Sequence, residues 1–327
     1  MTRPIKILFS DQDYPDLAIE RGVFDAGGIE MVTAGRALTE DAVIAAAKDC
    51  SAILLQYAPI TGRVLDALPQ VGIVSRIGAG FDTVDTAACE ARGVWVANSP
   101  DYGIGEVSTH ALAMMLSLIR HLPFFDRDVK AGTWSFDSAG RIRRASEMTL
   151  GIVGLGRIGK RMAHISRNLF KRVIAFDPYL IDGDFPAYVE RVRSLGALFG
   201  EADAVSLHTP LNDETRGMID AGVLAQAKKG AYLVNTSRGA VIDVDALVAA
   251  LDRFDGVGLD VLPNEPIVPG HPLTLHPRVI LSPHAAFYSA ESEQDLRRKA
   301  AQNIVTWVKT GRPDYVVVRG TRKLASL

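Results

Sequence analysis

Apolar residues recur along the chain in two patterns. Short apolar runs typical of buried strands alternate with longer segments in which apolar residues return at helical spacing. This alternation is typical of a parallel α/β sheet covered by helices. Five strands are predicted in the first hundred residues, namely Ile5–Phe9, Ile29–Thr33, Ala52–Gln56, Ile73–Arg76 and Val94–Ala97. With helical stretches such as Asp41–Ala47 between them, they indicate a small domain of flavodoxin-like type.

A second α/β series begins at Thr149, after a long apolar-periodic helix, Glu106–His121, and a polar stretch, Asp126–Glu147. Its six predicted strands are Thr149–Val153, Arg172–Phe176, Ala204–Leu207, Ala231–Asn235, Val257–Asp260 and Val279–Ser282. Six strands complete a dinucleotide-binding fold. An amphipathic helix is predicted from about Ala290 to Lys309, and the tail from Gly311 is expected to be irregular. The predicted fold class is therefore α/β, with two doubly wound parallel sheets.

The composition fits this picture and excludes several other classes. A chain of 327 residues is long enough for two domains. Its 36 basic and 38 acidic residues nearly cancel, so we expect no nucleic-acid partner. The two cysteines, Cys50 and Cys89, have no metal-ligand spacing around them, and no metal site is predicted. No apolar stretch is long enough for a signal-peptide core or a membrane span, so we expect a cytoplasmic protein with no membrane partner.

A glycine-rich turn follows the first strand of the second series. The turn reads Gly154-Leu155-Gly156-Arg157-Ile158-Gly159, and a helix-like segment runs from it to Phe170. Gly154 permits a tight turn, Gly156 lets the backbone approach a pyrophosphate, and Gly159 lets the helix pack close to the strand. The helix N-terminus offers free N–H groups and a positive dipole to the phosphates. This context predicts a dinucleotide site.

An acidic residue stands where the next strand ends. Asp177 lies eighteen residues beyond Gly159, where a carboxylate is expected to bond the ribose hydroxyls. An acid there would repel a 2′-phosphate, and Pro178 and Tyr179, which follow, include no arginine to bind one. The predicted cofactor is therefore NAD. A second glycine pair, Gly78-Ala79-Gly80, lacks the third glycine and is interpreted as a loop that could approach a small ligand closely.

Three polar residues, Arg238, Glu265 and His284, stand just after the last three predicted strands. Ligands of open α/β sheets bind outside the carboxyl ends of strands, so these side chains are expected to converge on one cleft. Taken singly, Arg238 could be a surface charge, Glu265 a loop acid and His284 a hydrogen-bonded core histidine. Together, and downstream of a cofactor motif, they favour a shared site.

These residue types suit the reduction of a 2-oxo acid. The cofactor supplies the hydride, and histidine can give a proton to the carbonyl oxygen near neutral pH. A carboxylate bonded to the other ring nitrogen would orient the ring and favour its charged form. Arginine can hold the substrate carboxylate with two parallel hydrogen bonds. A further histidine, His208, lies at a strand end before Thr209 and Pro210 and is expected to line the cofactor cleft through its backbone.

Several of these segments occur together, in this order, in the D-2-hydroxyacid dehydrogenases, which the chain resembles from roughly residue 50 to 310. The matching segments are Arg76-Ile77-Gly78-Ala79-Gly80-Phe81-Asp82, the glycine turn, Asn235-Thr236-Ser237-Arg238-Gly239, Asp260-Val261 with Glu265-Pro266, and Ser282-Pro283-His284-Ala285. The resemblance implies an NAD-binding Rossmann domain, residues 101–288, inserted into a discontinuous flavodoxin-like substrate domain, residues 1–100 and 289–327. It also implies closure over the substrate and a homodimer held largely through the cofactor domains.

The resemblance also assigns roles to single residues. Arg238 would bind the substrate carboxylate and carbonyl, Glu265 would bind the histidine, and His284 would act as the acid/base. Asp260 would lie near the carboxamide of nicotinamide. Beside the three glycines and Asp177, the cofactor-binding residues would be Arg157, Ile158, His208, Thr209, Pro210, Thr236 and Ser237. The substrate-binding residues would be Arg76, Ile77, Gly78 and Ala79, with Tyr57 and Phe287 as pocket walls.

Within the family, Arg141–Arg144 and the segment from His284 to Ser289 resemble the C-terminal-binding-protein corepressor branch, which has tryptophan where this chain has Phe287. The alternative function is therefore an NAD-sensing interaction module with weak or no turnover. The intact set of Arg238, Glu265 and His284 favours an enzyme, because a pure sensor needs no proton donor. A lyase or isomerase that uses bound NAD internally is a third possibility. We predict an NAD-dependent dehydrogenase acting on a small 2-oxo or D-2-hydroxy acid.

Overall fold

A computed structural model describes residues 5–324. The ends of the predicted substrate domain, residues 1–4 and 325–327, lie outside the described residues. The chain divides into two compact units, of which the first combines Met1–Gly103 with Ser289–Leu327 and the second is Ile104–Tyr288. The first unit is therefore interrupted in sequence by the second.

Strands and helices alternate through both units. The strands are β1 (Lys6–Phe9), β2 (Glu30–Thr33), β3 (Ala52–Leu55), β4 (Ile73–Arg76), β5 (Trp95–Ala97), β6 (Thr149–Val153), β7 (Arg172–Phe176), β8 (Glu190–Arg191), β9 (Ala204–Leu207), β10 (Ala231–Asn235), β11 (Phe254–Leu259), β12 (Val279–Leu281) and β13 (Val316–Val318). The α-helices are α1 (Ala18–Ala26), α2 (Glu40–Ala46), α3 (Gly62–Ala67), α4 (Thr86–Ala91), α5 (Ile104–Ile119), α6 (Leu122–Lys130), α7 (Arg157–Ser166), α8 (Leu195–Glu201), α9 (Ala221–Gln226), α10 (Val244–Ala250), α11 (Pro272–Leu275) and α12 (Ala290–Thr310). Within residues 5–324, none of these helices is long and apolar enough to cross a membrane.

The sheet of the first unit has the order β13-β5-β4-β3-β1-β2. Its five parallel strands follow the flavodoxin-like order 2-1-3-4-5, as predicted. The prediction of an irregular tail is wrong, since β13 pairs antiparallel with β5. There are two physical reasons. The three consecutive valines of β13 favour an extended strand, and β5 has a free edge with which they can pair.

The sheet of the second unit has seven parallel strands in the order β12-β11-β10-β9-β6-β7-β8. When the strands are numbered from β6 as strand 1 and the sheet is read from the β8 edge, the order is 3-2-1-4-5-6-7. This is the dinucleotide-binding order with one strand added. The prediction of six strands missed β8, which has only two residues and so gives no periodic signal. The strand order reverses between β6 and β9, and ligands of such sheets bind at this switch point. The predicted α/β class with two doubly wound sheets is confirmed.

A buried ion pair joins two helices of the first unit. The guanidinium of Arg297 in α12 donates to both carboxylate oxygens of Glu20 in α1, at 2.7 and 2.8 Å. Arg297 also donates to Glu293 at 3.1 Å and lies 4.3 Å from the centroid of the Tyr14 ring. The side chains of Arg297 and Glu20 are 3% and 0% exposed. The pair is satisfied on both sides, so the loss of one partner would leave a buried charge.

We expect Glu20→Gln to destabilise the first unit by about 3 kcal/mol, because it leaves the Arg297 charge buried with fewer partners. Urea unfolding followed by circular dichroism measures the loss. Asp295→Asn, which removes the partner of exposed Arg298, is the control and should change stability by less than about 0.5 kcal/mol. Equal effects of the two substitutions would contradict the prediction.

Candidate active site

The glycine turn lies where β6, α7 and the end of β9 come into close contact. Gly154 has a φ of +88°, and a Cβ on it would lie 2.7 Å from the carbonyl oxygen of His208. A Cβ on Gly159 would lie 2.0 Å from the carbonyl oxygen of Gly154. A Cβ on Gly156 would meet nothing within 4 Å. Gly154 and Gly159 are thus required by packing, whereas Gly156 faces open space that a ligand could fill.

The N-terminus of α7 has no side-chain cap. The helix begins at Arg157, and its N-cap residue, Gly156, has no side chain to accept a hydrogen bond. By contrast, Thr39 and Thr61 cap α2 and α3 with their hydroxyls. The first N–H groups of α7 are therefore left for another acceptor, and the helix dipole favours an anion there.

The carboxylate of Asp177 is held beside this turn. Its Oδ2 accepts the N–H of Leu155, in the middle of the glycine motif, at 2.8 Å. Its Oδ1 accepts the N–H of Tyr179 at 3.0 Å. Asp177 thus follows β7 at the predicted place, with a fixed orientation and lone pairs left for further donors.

Three buried polar atoms near the switch point have no hydrogen-bond partner among the described residues. They are Nδ1 of His208, Oγ1 of Thr209 and Oγ1 of Thr236, at the ends of β9 and β10. Nε2 of His208 contacts Ser206 Oγ at 2.9 Å, and burial lowers the pKa of the His208 ring to about 4. The ring is therefore neutral at pH 7, and its unpaired nitrogen can meet a polar ligand group.

These features fit a dinucleotide, because open space beside Gly156, an uncapped helix N-terminus and unpaired polar atoms occur around one switch point. Pro210 follows Thr209, and its carbonyl accepts the hydroxyl of Thr215 at 2.7 Å. Ser237 donates both its N–H and its hydroxyl to Asn235 Oδ1, at 3.0 and 2.8 Å.

Within residues 5–324 no group of three or more His, Cys, Asp and Glu side chains could hold a metal ion.

His284 and Glu265 form a hydrogen-bonded pair. The distance between Nδ1 of His284 and Oε2 of Glu265 is 2.7 Å. The other oxygen of Glu265 accepts the N–H of Leu262 at 2.8 Å. Burial by itself raises the pKa of Glu265, but the hydrogen bonds from His284 and Leu262 and the charges of His284 and Arg238 outweigh it. The net pKa lies below the usual value, so Glu265 is ionised at neutral pH.

Arg238 lies in the loop after β10, close to this pair in the same unit. Asn235 Nδ2 donates to the carbonyl of Arg238 at 2.9 Å, which shapes the loop. A Cβ on the next residue, Gly239, would lie 1.9 Å from the carbonyl carbon of Leu262, so only glycine lets this loop approach the one that carries Glu265. The structure therefore brings Arg238, Glu265 and His284 together at the carboxyl ends of neighbouring strands.

The loop that carries His284 is fastened to Asp260. The main-chain N–H of His284 donates to the carbonyl of Asp260 at 2.8 Å, and His284 has a left-handed φ of +52°. The buried carboxylate of Asp260 accepts the N–H groups of Ala285 and Ala286, at 2.8 and 3.0 Å, and the hydroxyl of Ser282 at 2.5 Å. Nε2 of His110 lies 3.7 Å from Oδ1 of the same carboxylate, and the contact of Asp260 with nicotinamide stays a prediction.

The sequence did not predict where the side chain of His110 lies. This histidine in α5 places Nε2 3.0 Å from Ser282 Oγ, so it joins the network around Asp260. His110 and Ser282 are 172 residues apart in sequence. No local pattern connects them, and only the sheet topology brings α5 to the end of β12.

The substrate-binding residues predicted in the first unit cluster at the ends of β3 and β4. Buried Asp11 accepts the N–H groups of Gln56, Tyr57 and Ala58, which fixes the loop that carries half-exposed Tyr57. Nε of Arg76 donates to the Gln56 carbonyl at 3.2 Å.

The loop after β4 depends on one glycine. Gly78 has a φ of +143°, and a Cβ on it would lie 1.4 Å from Nη1 of Arg76, so the guanidinium covers this glycine. Ile77 is buried, and the carbonyl of Ala79 accepts Asn98 Nδ2 at 2.7 Å. Of the predicted pocket walls, Phe287 belongs to the second unit, where its ring contacts that of Tyr288 edge to face.

Comparisons with known proteins show what this chain is similar to in sequence and in fold. Residues 112–286 match the family model "D-isomer specific 2-hydroxyacid dehydrogenase, NAD binding domain". A glyoxylate reductase of Korarchaeum cryptofilum is 36% identical over 290 residues, which cover 84% of this chain and 85% of the relative. A D-3-phosphoglycerate dehydrogenase of Synechocystis is 33% identical over 82% of this chain, which spans only 48% of that longer protein.

Two solved structures share the fold over nearly their full length. The D-lactate dehydrogenase of Aquifex aeolicus, complexed with NAD and lactic acid, has a TM-score of 0.85, 27% identity and coverage of 96% and 100% of the two chains. The NADPH-dependent glyoxylate/hydroxypyruvate reductase of Sinorhizobium meliloti, complexed with NADP and malonate, has a TM-score of 0.86, 28% identity and coverage of 98% and 99%.

The chain belongs to the D-isomer specific 2-hydroxyacid dehydrogenase family, as the sequence resemblance predicted. It is an NAD-dependent oxidoreductase of that family. The particular resemblance to the corepressor branch stays a prediction. The alternative as an NAD sensor is not favoured, since the relatives named above are enzymes.

We expect the Glu265–His284 pair to stabilise the second unit above the usual glutamate pKa of 4.5 and to lose this effect as the pH falls through the lowered pKa of Glu265. The difference in urea midpoint between wild type and Glu265→Gln should therefore shrink as the pH falls below about 4.5. Equilibrium unfolding at a series of pH values measures it. A difference that grows on acidification below that value would contradict the assignment.

Proposed function

We propose that the protein interconverts a small 2-oxo acid and the corresponding D-2-hydroxy acid. The observation that carries the proposal is the 2.7 Å hydrogen bond between His284 and Glu265, in the same unit as the glycine turn and beside Arg238. When bound, NADH supplies the hydride for C2. The residues then have to bind the carboxylate, hold the carbonyl and move one proton.

His284 is the proposed acid/base. Its Nδ1 is engaged by Glu265, which leaves Nε2 as the ring atom that can exchange a proton with the substrate oxygen. In the direction of reduction, Nε2 gives its proton to the oxygen on C2, and in oxidation it accepts that proton. Glu265 fixes the ring orientation and stabilises the charged ring through its own negative charge. The fastening of the loop to Asp260 keeps the ring in place.

Arg238 is the proposed anchor for the substrate carboxylate and carbonyl, because a guanidinium can donate two parallel hydrogen bonds. In the first unit we propose that the backbone of Ile77, Gly78 and Ala79 binds the carboxylate, with the Arg76 charge beside it. Tyr57 and Phe287 are the proposed pocket walls. We accordingly assign substrate binding to the first unit and NAD binding to the second.

For the cofactor we propose that the N–H groups of Arg157 and Ile158 bind the pyrophosphate and that Asp177 binds the ribose hydroxyls. The proposed residues along the rest of the dinucleotide are His208, Thr209, Pro210, Thr236, Ser237 and Asp260.

We propose the reducing cytoplasm as the location of the protein. Cys50 and Cys89 are free and buried, and burial raises their pKa values to about 11 and 12, which suits such a compartment.

The direct test follows NADH oxidation against 2-oxo acids graded in size: glyoxylate, pyruvate, hydroxypyruvate and a branched apolar acid. Turnover of one member, with product of D configuration, supports the proposal and sets the pocket size. Tight NADH binding with no turnover across the set would contradict it and favour the sensor.

We expect His284→Ala to reduce kcat by at least about 100-fold, because the proton donor is lost, while the Kd for NADH changes little. Stopped-flow turnover and NADH fluorescence titration measure the two quantities. His164→Ala, an exposed histidine of the same unit, serves as the control. Near-normal turnover of His284→Ala would show that another group supplies the proton.

We further propose a homodimer formed through the second unit. Trp134 and Phe136, in the loop after α6, are 89% and 90% exposed, which is costly for aromatic side chains in a monomer. Trp134→Ser combined with Phe136→Ser should shift the protein from dimer to monomer in light scattering. Leu275→Ser, at another exposed apolar residue of this unit, should leave the dimer intact. A wild-type monomer at micromolar concentration would contradict the proposal.

A further inference from the structure

A side-chain bridge links the loop after β7 to the loop after β9. The phenol of Tyr179 donates a hydrogen bond to the carboxylate of Glu214. Both side chains are largely exposed. Neither residue belongs to the glycine turn or to the group formed by Arg238, Glu265 and His284. In the sheet, β7 and β9 lie on opposite sides of β6, so the bridge spans the carboxyl edge on which the glycine turn lies.

Hydrogen bonds between side chains and main-chain groups fix the two loops that carry Tyr179 and Glu214. On one side, Asn212 Oδ1 accepts the N–H groups of Glu214 and Thr215, each at 3.0 Å. The hydroxyl of Thr215, a buried residue, donates to the carbonyl of Pro210 at 2.7 Å. On the other side, the N–H of Tyr179 donates to Asp177 at 3.0 Å. The bridge therefore connects two ordered loops at defined positions.

The bridge brings a second negative charge to the edge that Asp177 occupies. Hydrogen bonding to Glu214, followed by burial and the charges of Glu214 and Asp177, raises the pKa of Tyr179, so both carboxylates act on the same hydroxyl. Two arginines lie at and just after the end of β8, the strand next to β7. They are Arg191 and Arg193, and both are engaged with Asp182.

We propose that Glu214, held by Tyr179, is a second specificity residue that disfavours a cofactor with a 2′-phosphate. The inference rests on the proposed binding of the adenosine ribose at Asp177. A 2′-phosphate adds a charge of about −1.5 to −2 at this edge, and repulsion by a fixed carboxylate on the same edge weakens binding several-fold. NAD lacks this charge, so its binding is little affected. The fold itself admits either cofactor, since the Sinorhizobium meliloti reductase is complexed with NADP.

Tyr179 has a positioning role in this proposal. Without its phenol, Glu214 would move freely in solvent, and a mobile exposed charge is more easily screened by salt. Tyr179→Phe should therefore reproduce part of the effect of Glu214→Gln. Because both substitutions act through one carboxylate, their effects should not add in the double variant.

The test measures Kd values for NADH and NADPH by fluorescence titration, without substrate, for wild type, Glu214→Gln, Tyr179→Phe and the double variant. We expect Glu214→Gln to lower the ratio of the NADPH Kd to the NADH Kd by about 3- to 10-fold at low salt, and less in 0.5 M salt, because screening weakens the repulsion. The NADH Kd itself should change less than about 2-fold. Asp177→Ala is the reference for the proposed primary determinant.

Asp213→Asn is the matched control, because it removes a charge from the adjacent exposed position of the same loop. An equal change for Asp213→Asn and Glu214→Gln would overturn the inference, since it would reflect only the net charge of the loop. An unchanged ratio in Glu214→Gln would also overturn it, while turnover of the 2-oxo acids by the same preparation would leave the proposed function intact. Absence of NADH binding to wild type would contradict both.

Discussion

The second unit depends on close contact between backbones at the start of α7. The carbonyl of His208 occupies the space that a Cβ of Gly154 would need, and the carbonyl of Gly154 does the same for Gly159. Three elements, β6, α7 and the end of β9, can therefore meet only through glycine. This contact places the uncapped helix N-terminus and the unpaired side chains of β9 and β10 around one point. A methyl group there would separate the elements on which the cofactor site is built.

A second constraint recurs at the ends of strands in both units. Asp11, Asp177 and Asp260 each follow a strand and accept main-chain N–H groups from another loop. Asp11 holds the loop of Tyr57, and Asp260 holds the loop of His284. A carboxylate that accepts backbone N–H groups fixes a loop without a regular element, because charge-assisted hydrogen bonds are strong and directional. The functional side chains can thus lie on loops and still have defined positions.

Much of this arrangement could be predicted from the sequence, because its signals are local. The strand preceding Gly154, the spacing to Asp177 and the polar residues after β10, β11 and β12 are read from short segments. The predictions failed where the local signal was weak: β8 has two residues, and β13 was taken as irregular because Pro, Arg and Gly surround its valines. Whether a short segment becomes a strand depends on an available edge, which a local pattern does not contain.

The sequence by itself determined the two α/β units, the glycine turn and the residue types of the proposed chemical site, since hydrophobic periodicity and glycine spacing are properties of adjacent residues. Only the tertiary structure decided which distant side chains meet. The contact of His110 with Ser282, the bridge from Tyr179 to Glu214 and the fastening of the His284 loop to Asp260 all join separate loops or elements. Their existence depends on strand order and side-chain direction, and these are fixed only when the sheet has formed.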